Sequence, residues 1–95
     1  MKESQIEARL VRGVRALGGR AYKFVSPGNT GVPDRLVVLP GGRAIFVELK
    51  TDTGKLSPMQ IRQIDLLQSM GAPVRVLYGM TAVEEFLKAV KLDGI

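Results

Sequence analysis

The chain contains neither cysteine nor histidine. Without cysteine there is no disulfide framework and no thiolate metal site, a composition that suits a reducing cytoplasm. Without histidine every mechanism built on imidazole is excluded: Ser-His-Asp hydrolysis, Cys-His proteolysis, zinc-peptidase chemistry and histidine-based RNA cleavage. A bound metal would have to sit among oxygen ligands, which favours Mg2+ or Mn2+ over zinc. Aromatic residues are few (Tyr22, Phe24, Phe46, Tyr78 and Phe86), too sparse for a platform on which bases stack. Long hydrophobic runs are missing as well. Stretches such as Leu36 to Leu39 and Ala44 to Val47 fall far short of the ~20 residues of a membrane span. The start Met1-Lys2-Glu3-Ser4 lacks the apolar region of a signal peptide. The expectation is a cytoplasmic protein with no membrane partner.

What is present fits one folded domain over residues 1–95, since 95 residues with 45% apolar content can build one compact core. The net charge is +5, from 14 basic and 9 acidic side chains. A basic balance suits a polyanion, nucleic acid first and an anionic membrane second, although simple solubility would produce the same excess.

The patterning predicts α-β-β-β-α-β-α, an α/β fold with a mixed sheet of about four strands flanked by helices. A first helix over residues 3–17 has Ile6, Leu10, Val14 and Leu17 at helical spacing. Gly18-Gly19 stops it, and Gly13 inside it costs about 1 kcal/mol relative to alanine. Residues 20–25 read as a strand, and Ser26 to Pro33 is a dense run of turn formers. Residues 34–39 and 43–50 read as strands joined by Pro40-Gly41-Gly42. Ser57-Pro58 opens a second helix, with Ile61, Ile64, Leu67 and also Leu66 as its apolar face and Gly71 as its stop. Residues 74–78 form a last strand, and Thr81 caps a final helix that buries Val83, Phe86, Leu87 and Val90.

Strand alternation turns Glu48 and Lys50 to one face and Leu49 to the other. If Pro40-Gly41-Gly42 is a three-residue loop, Leu39 faces Arg43 and Asp34 faces Glu48. A four-residue loop would shift that facing by one residue. Directly opposed carboxylates, with β-carbons about 4.5–5.5 Å apart, repel unless something neutralises them. A divalent cation does so, with the Leu49 backbone carbonyl as a further oxygen ligand. Beside such a metal and a phosphodiester, Lys50 can orient a water and offset negative charge in the transition state. The plainer alternatives are a turn aspartate at a strand start and a cross-strand ion pair. Against the second, Ala44 and Phe46 share the face of Glu48 and are apolar.

Pro33-Asp34, thirteen residues, then Glu48-Leu49-Lys50 is the PD-(D/E)xK nuclease pattern. Its setting is more specific. Ser26 through Arg35, then Phe46-Val47-Glu48-Leu49-Lys50, then Ser57-Pro58-Met59-Gln60 resembles the VRR-NUC domain, the virus-type replication-repair nuclease, over roughly residues 4–78. The size resembles the stand-alone phage and bacterial members, which are similar in topology to Holliday-junction resolvases. That resemblance implies a restriction-endonuclease-like core and a homodimer that cuts branched DNA. It implies Asp34 and Glu48 as metal-binding carboxylates, Lys50 as the catalytic lysine, and Glu7 and Gln60 as further site residues, Glu7 either supporting the metal ligands or reaching a second metal.

Glu7 and Gln60 also have a structural reading. Ser4-x-x-Glu7, Ser57-x-x-Gln60 and Thr81-x-x-Glu84 are all capping boxes in sequence, and a side chain occupied by its own cap reaches a metal poorly. For DNA contact the candidates are Ser26, Asn29 and Thr30, in a loop read as reaching the scissile phosphate or adjacent backbone, together with Arg9, Arg12 and Arg35, for each of which a solvated surface charge is the plainer reading. The rival function from another class is a nucleic-acid-binding module that keeps the fold but does not cut.

Overall fold

The computed structural model describes residues 1–93, so the expected domain of residues 1–95 ends on two residues outside the described ones. Helix α1 spans Glu3–Ala16, followed by strands β1 (Arg20–Lys23), β2 (Arg35–Leu39) and β3 (Arg43–Lys50). Helix α2 spans Pro58–Ser69, strand β4 Val74–Tyr78 and helix α3 Gly79–Leu92. The α/β class and the element order are those expected. The sheet runs β1-β2-β3-β4, with β1/β2 and β2/β3 antiparallel and β3/β4 parallel. A parallel neighbour requires a crossover connection, and α2 is that connection.

The turn at residues 40–42 sets the register. The Gly42 N–H donates to the Leu39 carbonyl at 3.1 Å, and Gly41 and Gly42 have φ of 87° and 84°, a backbone that glycine adopts without steric cost. Leu39 faces Arg43, Val37 faces Ile45 and Arg35 faces Val47. This is the three-residue-loop register.

Alternation then divides the sheet into two faces. Val37, Leu39, Ile45, Val47 and Leu49 point to one side and pack with Ile6, Leu10 and Val14 of α1 and Val83, Phe86, Leu87 and Val90 of α3. Each such side chain contributes roughly 1.5–3 kcal/mol when fully buried. Gly13, unfavourable for the helix by itself, is buried where α1 meets α3, and a Cβ there would collide with Leu87.

The opposite face is covered less completely, by α2. Ile64 is its one buried residue, with Gln60, Gln63 and Leu67 half-buried beside it. Ile61 and Leu66, expected on the apolar face, are instead 47% and 51% exposed. They lie off the single stripe formed by residues 60, 63, 64 and 67, and one stripe is all that a helix resting on one side of the sheet can bury.

One of the three expected capping boxes forms. Ser57 Oγ accepts the Gln60 N–H at 3.2 Å, and Gln60 Oε1 accepts the Ser57 N–H at 2.9 Å. At α1 the cap is Lys2, whose N–H donates to Gln5 Oε1 at 2.9 Å, so Ser4 and Glu7 lie inside the helix. At α3 the helix follows β4 directly from Gly79 and Tyr78 occupies the cap position without a side-chain bond, so Thr81 is interior. Element ends also shift: α1 stops at Ala16, β1 stops at Lys23, and β2 begins at Arg35. Among the described residues no helix is long and apolar enough to cross a membrane.

Candidate active site

Glu48 is the one buried charged residue among those described, 1% exposed. Its neighbours Val47 and Leu49 enter the α1–α3 core, and alternation sends Glu48 to the other face, beneath α2. Its Oε2 accepts a hydrogen bond from Gln60 Nε2 at 3.1 Å and lies 3.9 Å from Lys50 Nζ. Its Oε1 is buried with no hydrogen-bond partner. Burial pushes the Glu48 carboxyl up to about 7, and the negative charge of neighbouring Asp34 pushes the same way. The Lys50 charge opposes them.

Asp34 lies one residue before β2, and its carbonyl accepts the Phe24 N–H at 2.8 Å on the β1 side. The last β2/β3 pair is Arg35 with Val47, so one further step along the same register sets Asp34 opposite Glu48. The phase of the ladder follows from Phe46, whose N–H donates to the Pro73 carbonyl at 3.0 Å on the β4 side. Even-numbered backbone groups of β3 therefore point toward β4 and odd-numbered ones toward β2. The Asp34/Glu48 position is thus of the non-hydrogen-bonded kind, in which Cα atoms approach to about 4.5 Å and side chains lie closest. One step further, Leu49 comes opposite Pro33. Proline has no N–H and cannot donate to the Leu49 carbonyl.

A hard divalent cation takes oxygen ligands. Asp34, Glu48 and the Leu49 carbonyl present oxygen donors, and one buried carboxylate oxygen has no other partner. Among the described residues no grouping of three or more Asp, Glu, His or Cys side chains could hold a metal ion, so a third protein ligand would be the carbonyl.

Glu7 does not join the two carboxylates. Arg35 holds it, with Nη2 at 3.0 Å and Nε at 3.2 Å from Glu7 Oε2, while Arg35 Nη1 donates to the Ala21 carbonyl at 3.0 Å. Glu7 therefore braces the residue next to Asp34. Gln60 combines the two roles that seemed to compete. Its Oε1 closes the α2 cap and its Nε2 donates to Glu48, so the cap aims the amide at the site.

The six candidates for DNA contact separate into two groups. Arg9 donates to both Glu84 oxygens, Nε at 2.6 Å and Nη2 at 2.9 Å, and Arg35 is held by Glu7, so both guanidiniums are occupied. Arg12 and Thr30 are exposed, and Asn29 Nδ2 donates to Ser26 Oγ at 2.9 Å within the loop. Sequence reasoning missed what anchors that loop. Gly31 has φ of 96°, and a Cβ on it would lie 2.6 Å from the Met59 backbone. The loop therefore packs directly on the start of α2, one residue from Gln60. It also missed Pro33, although the absence of an N–H opposite Leu49 was readable once the register was known.

The sequence matches the VRR-NUC domain family over residues 2–81. It is 53% identical over 77 residues, 81% of this chain and 83% of the relative, to a protein of Acyrthosiphon pisum secondary endosymbiont phage 1 named "Putative nuclease p44". A solved VRR-NUC domain superposes with a TM-score of 0.85 at 32% identity, covering 90% of this chain and 94% of the other. A second solved VRR-NUC domain protein, at 17% identity, shares the fold with a TM-score of 0.67 over 94% and 87% of the two chains.

Proposed function

Because the chain belongs to the VRR-NUC domain family, the virus-type replication-repair nucleases, we propose that it hydrolyses DNA phosphodiester bonds with Mg2+ or Mn2+ held by Asp34, Glu48 and the Leu49 carbonyl. The observation that carries this reading is the buried Glu48 Oε1, which has no partner and lies beside a second carboxylate. A carboxylate placed in that way is costly in a purely structural role.

A divalent cation bound there supplies a Lewis acid for a phosphoryl oxygen and lowers the pKa of its water. The protein supplies the rest. Gln60 Nε2 occupies Glu48 Oε2 and leaves Oε1 free. The Lys50 ammonium, on the same face and 17% exposed, is placed to orient an attacking water and to offset charge gathering on the phosphoryl oxygens. Arg35 and Glu7 together hold the strand that delivers Asp34. Arg12 and the loop residues Ser26, Asn29 and Thr30 contact the DNA backbone.

The substrate in this reading is branched DNA such as a four-way junction, cut by a homodimer in the cytoplasm of a phage host. The +5 charge and the few aromatic residues favour reading of duplex backbone and shape over base stacking. One catalytic centre per chain means that symmetric cutting of two strands takes two copies. Purified protein with Mg2+ or Mn2+ should cut a labelled four-way junction, and Asp34→Ala, Glu48→Ala and Lys50→Ala should not. Equal cleavage by these variants would overturn the assignment, and binding without cleavage in either metal would make the protein a non-cleaving nucleic-acid-binding module.

A further inference from the structure

Strand β4 brings to the face of Glu48 and Lys50 a side chain that the site described above leaves unused. Across the parallel β3/β4 pair, Glu48 faces Val76 and Lys50 faces Tyr78, and facing residues of neighbouring strands share a side of the sheet. The alternation within β4 agrees. Leu77 lies in the α1–α3 core, and the Arg75 guanidinium stands 5.6 Å from the centre of the Phe86 ring, so Val76 and Tyr78 point to the other side. Tyr78 is still extended, with φ of −99° and ψ of 107°, so the alternation holds through this last strand residue. Neighbouring strands lie about 4.8 Å apart, which sets Tyr78 beside Lys50 on the side away from β2. Its side chain is 41% exposed, and its hydroxyl makes no hydrogen bond to another described residue. The connection after β3 returns to the same place. Asp52 packs on Gly79, where a φ of 81° and the Asp52 carboxylate both oppose a Cβ, and a carboxylate is favoured at the start of a helix. The Lys50/Tyr78 pair is thus fixed by the ladder before it and by Asp52 on Gly79 after it.

Resting on the nuclease reading above, we propose that Tyr78 holds the DNA strand beside the cut: its hydroxyl donates a hydrogen bond to the phosphate next to the scissile one, on the Lys50 side of the centre. In that reading the scissile phosphate lies over Asp34 and Glu48 and within reach of Lys50. The strand continues past the centre, and beyond β3 it meets β4. There Val76, beside Glu48, offers no polar group, and Tyr78, beside Lys50, offers an O–H. A phenol carries that donor on a rigid ring with two torsions, so little side-chain freedom is lost on contact. Tyrosine hydroxyls on phosphate oxygens fix the position of a nucleic acid without reading its bases. Base stacking is the other use of an exposed ring. The one aromatic pair among the described residues is Phe24 with Phe46, 5.3 Å between ring centres. Tyr78 stands outside it, and a lone ring is no platform for successive bases. The contact is made equally before and during the reaction, so it contributes to affinity and not to the chemical step.

Two measurements on a labelled four-way junction test the contact: binding by fluorescence anisotropy with Ca2+ in place of Mg2+, and steady-state cleavage with Mg2+. Tyr78→Phe should weaken binding about tenfold, the scale of one hydrogen bond to a charged group. KM should rise to match, with kcat within about twofold of the natural protein, as the loss of uniform binding requires. The slope of log affinity against log salt should not change, because a neutral donor displaces no counterion. Tyr78→Ala should bind no worse than Tyr78→Phe. The side chain is exposed, so the urea midpoint of Tyr78→Phe should equal that of the natural protein. A Tyr78→Phe protein that binds as tightly as the natural one would overturn the inference and leave the ring to stack on a base or to do nothing. So would a fall in kcat at unchanged affinity, which would place the hydroxyl in the chemistry through Lys50. A natural protein that binds the junction without cutting it would sink the nuclease reading, and the binding comparison would still decide whether Tyr78 touches the DNA.

Discussion

On one face of the sheet α1 and α3 bury an uninterrupted apolar cluster, with Leu10, Val14, Val37, Val47, Val83 and Phe86 all at 0% exposure. On the other, α2 buries Ile64 and little else, and the most enclosed group beneath it is the Glu48 carboxylate. The first face carries the folding free energy. The second holds a charge in a position that repels its neighbour and is tolerated because the first is complete. The difference teaches where this small fold can accommodate chemistry: β3 is shared by both faces, so each core residue, Val47 and Leu49, fixes the direction of Glu48 between them.

The sharpest way to break the comparison is Glu48→Gln. Cleavage should fall by about a thousandfold or more, the scale of losing a preorganised charged group, while the amide still accepts from Gln60. The stability consequence has the opposite sign. A carboxyl raised to about 7 binds its proton more tightly when folded than when unfolded. Its penalty is therefore absent at acidic pH and grows as pH rises from the ordinary carboxylate range through about 7. Urea melts in the presence of a chelator should show the natural protein losing stability across that window, and Glu48→Gln showing a smaller loss and standing above it at pH 8.

Phe86→Ala strikes the other face and should cost about 3–5 kcal/mol of unfolding free energy, the usual effect of emptying an aromatic site in a packed core, readable as a large drop in urea midpoint. Gly31→Ala lies between the two regions, because the positive φ and the Met59 backbone both oppose a Cβ. It should cost about 1–3 kcal/mol and slow cleavage by displacing α2 and Gln60. Ile61→Ser should change monomer stability by no more than about 0.5 kcal/mol, measured well below the dimerisation range. A loss comparable to that of Phe86→Ala would mean that α2 contributes to the core after all.

Much of this was legible from local signals. The strands β3 and β4 began and ended where composition placed them, and the Pro40-Gly41-Gly42 turn delivered the register that brings Asp34 toward Glu48. The errors share a physical cause. Glu7 and Glu84 each stand three residues after a serine or threonine and read as helix starts, yet both carboxylates are taken by arginines remote in sequence. Arg35 is 28 residues from Glu7 and Arg9 is 75 from Glu84. A guanidinium in fixed two-point contact is a stronger partner for a carboxylate than a backbone N–H at an exposed helix end. Local spacing cannot report it.

The amino-acid sequence by itself determined the order of elements, the turn that sets the β2/β3 register and the alternation that separates Glu48 and Lys50 from Leu49. All of these follow from bond geometry within a few residues. Only the tertiary structure decided that Glu48 is fully enclosed with one oxygen unpartnered, that Glu7 serves Arg35, that Gln60 reaches the site while capping its helix, and that Ile61 and Leu66 face outward. Those outcomes depend on which surfaces meet across the sheet, and burial and long-range pairing exist only once the chain has closed on itself.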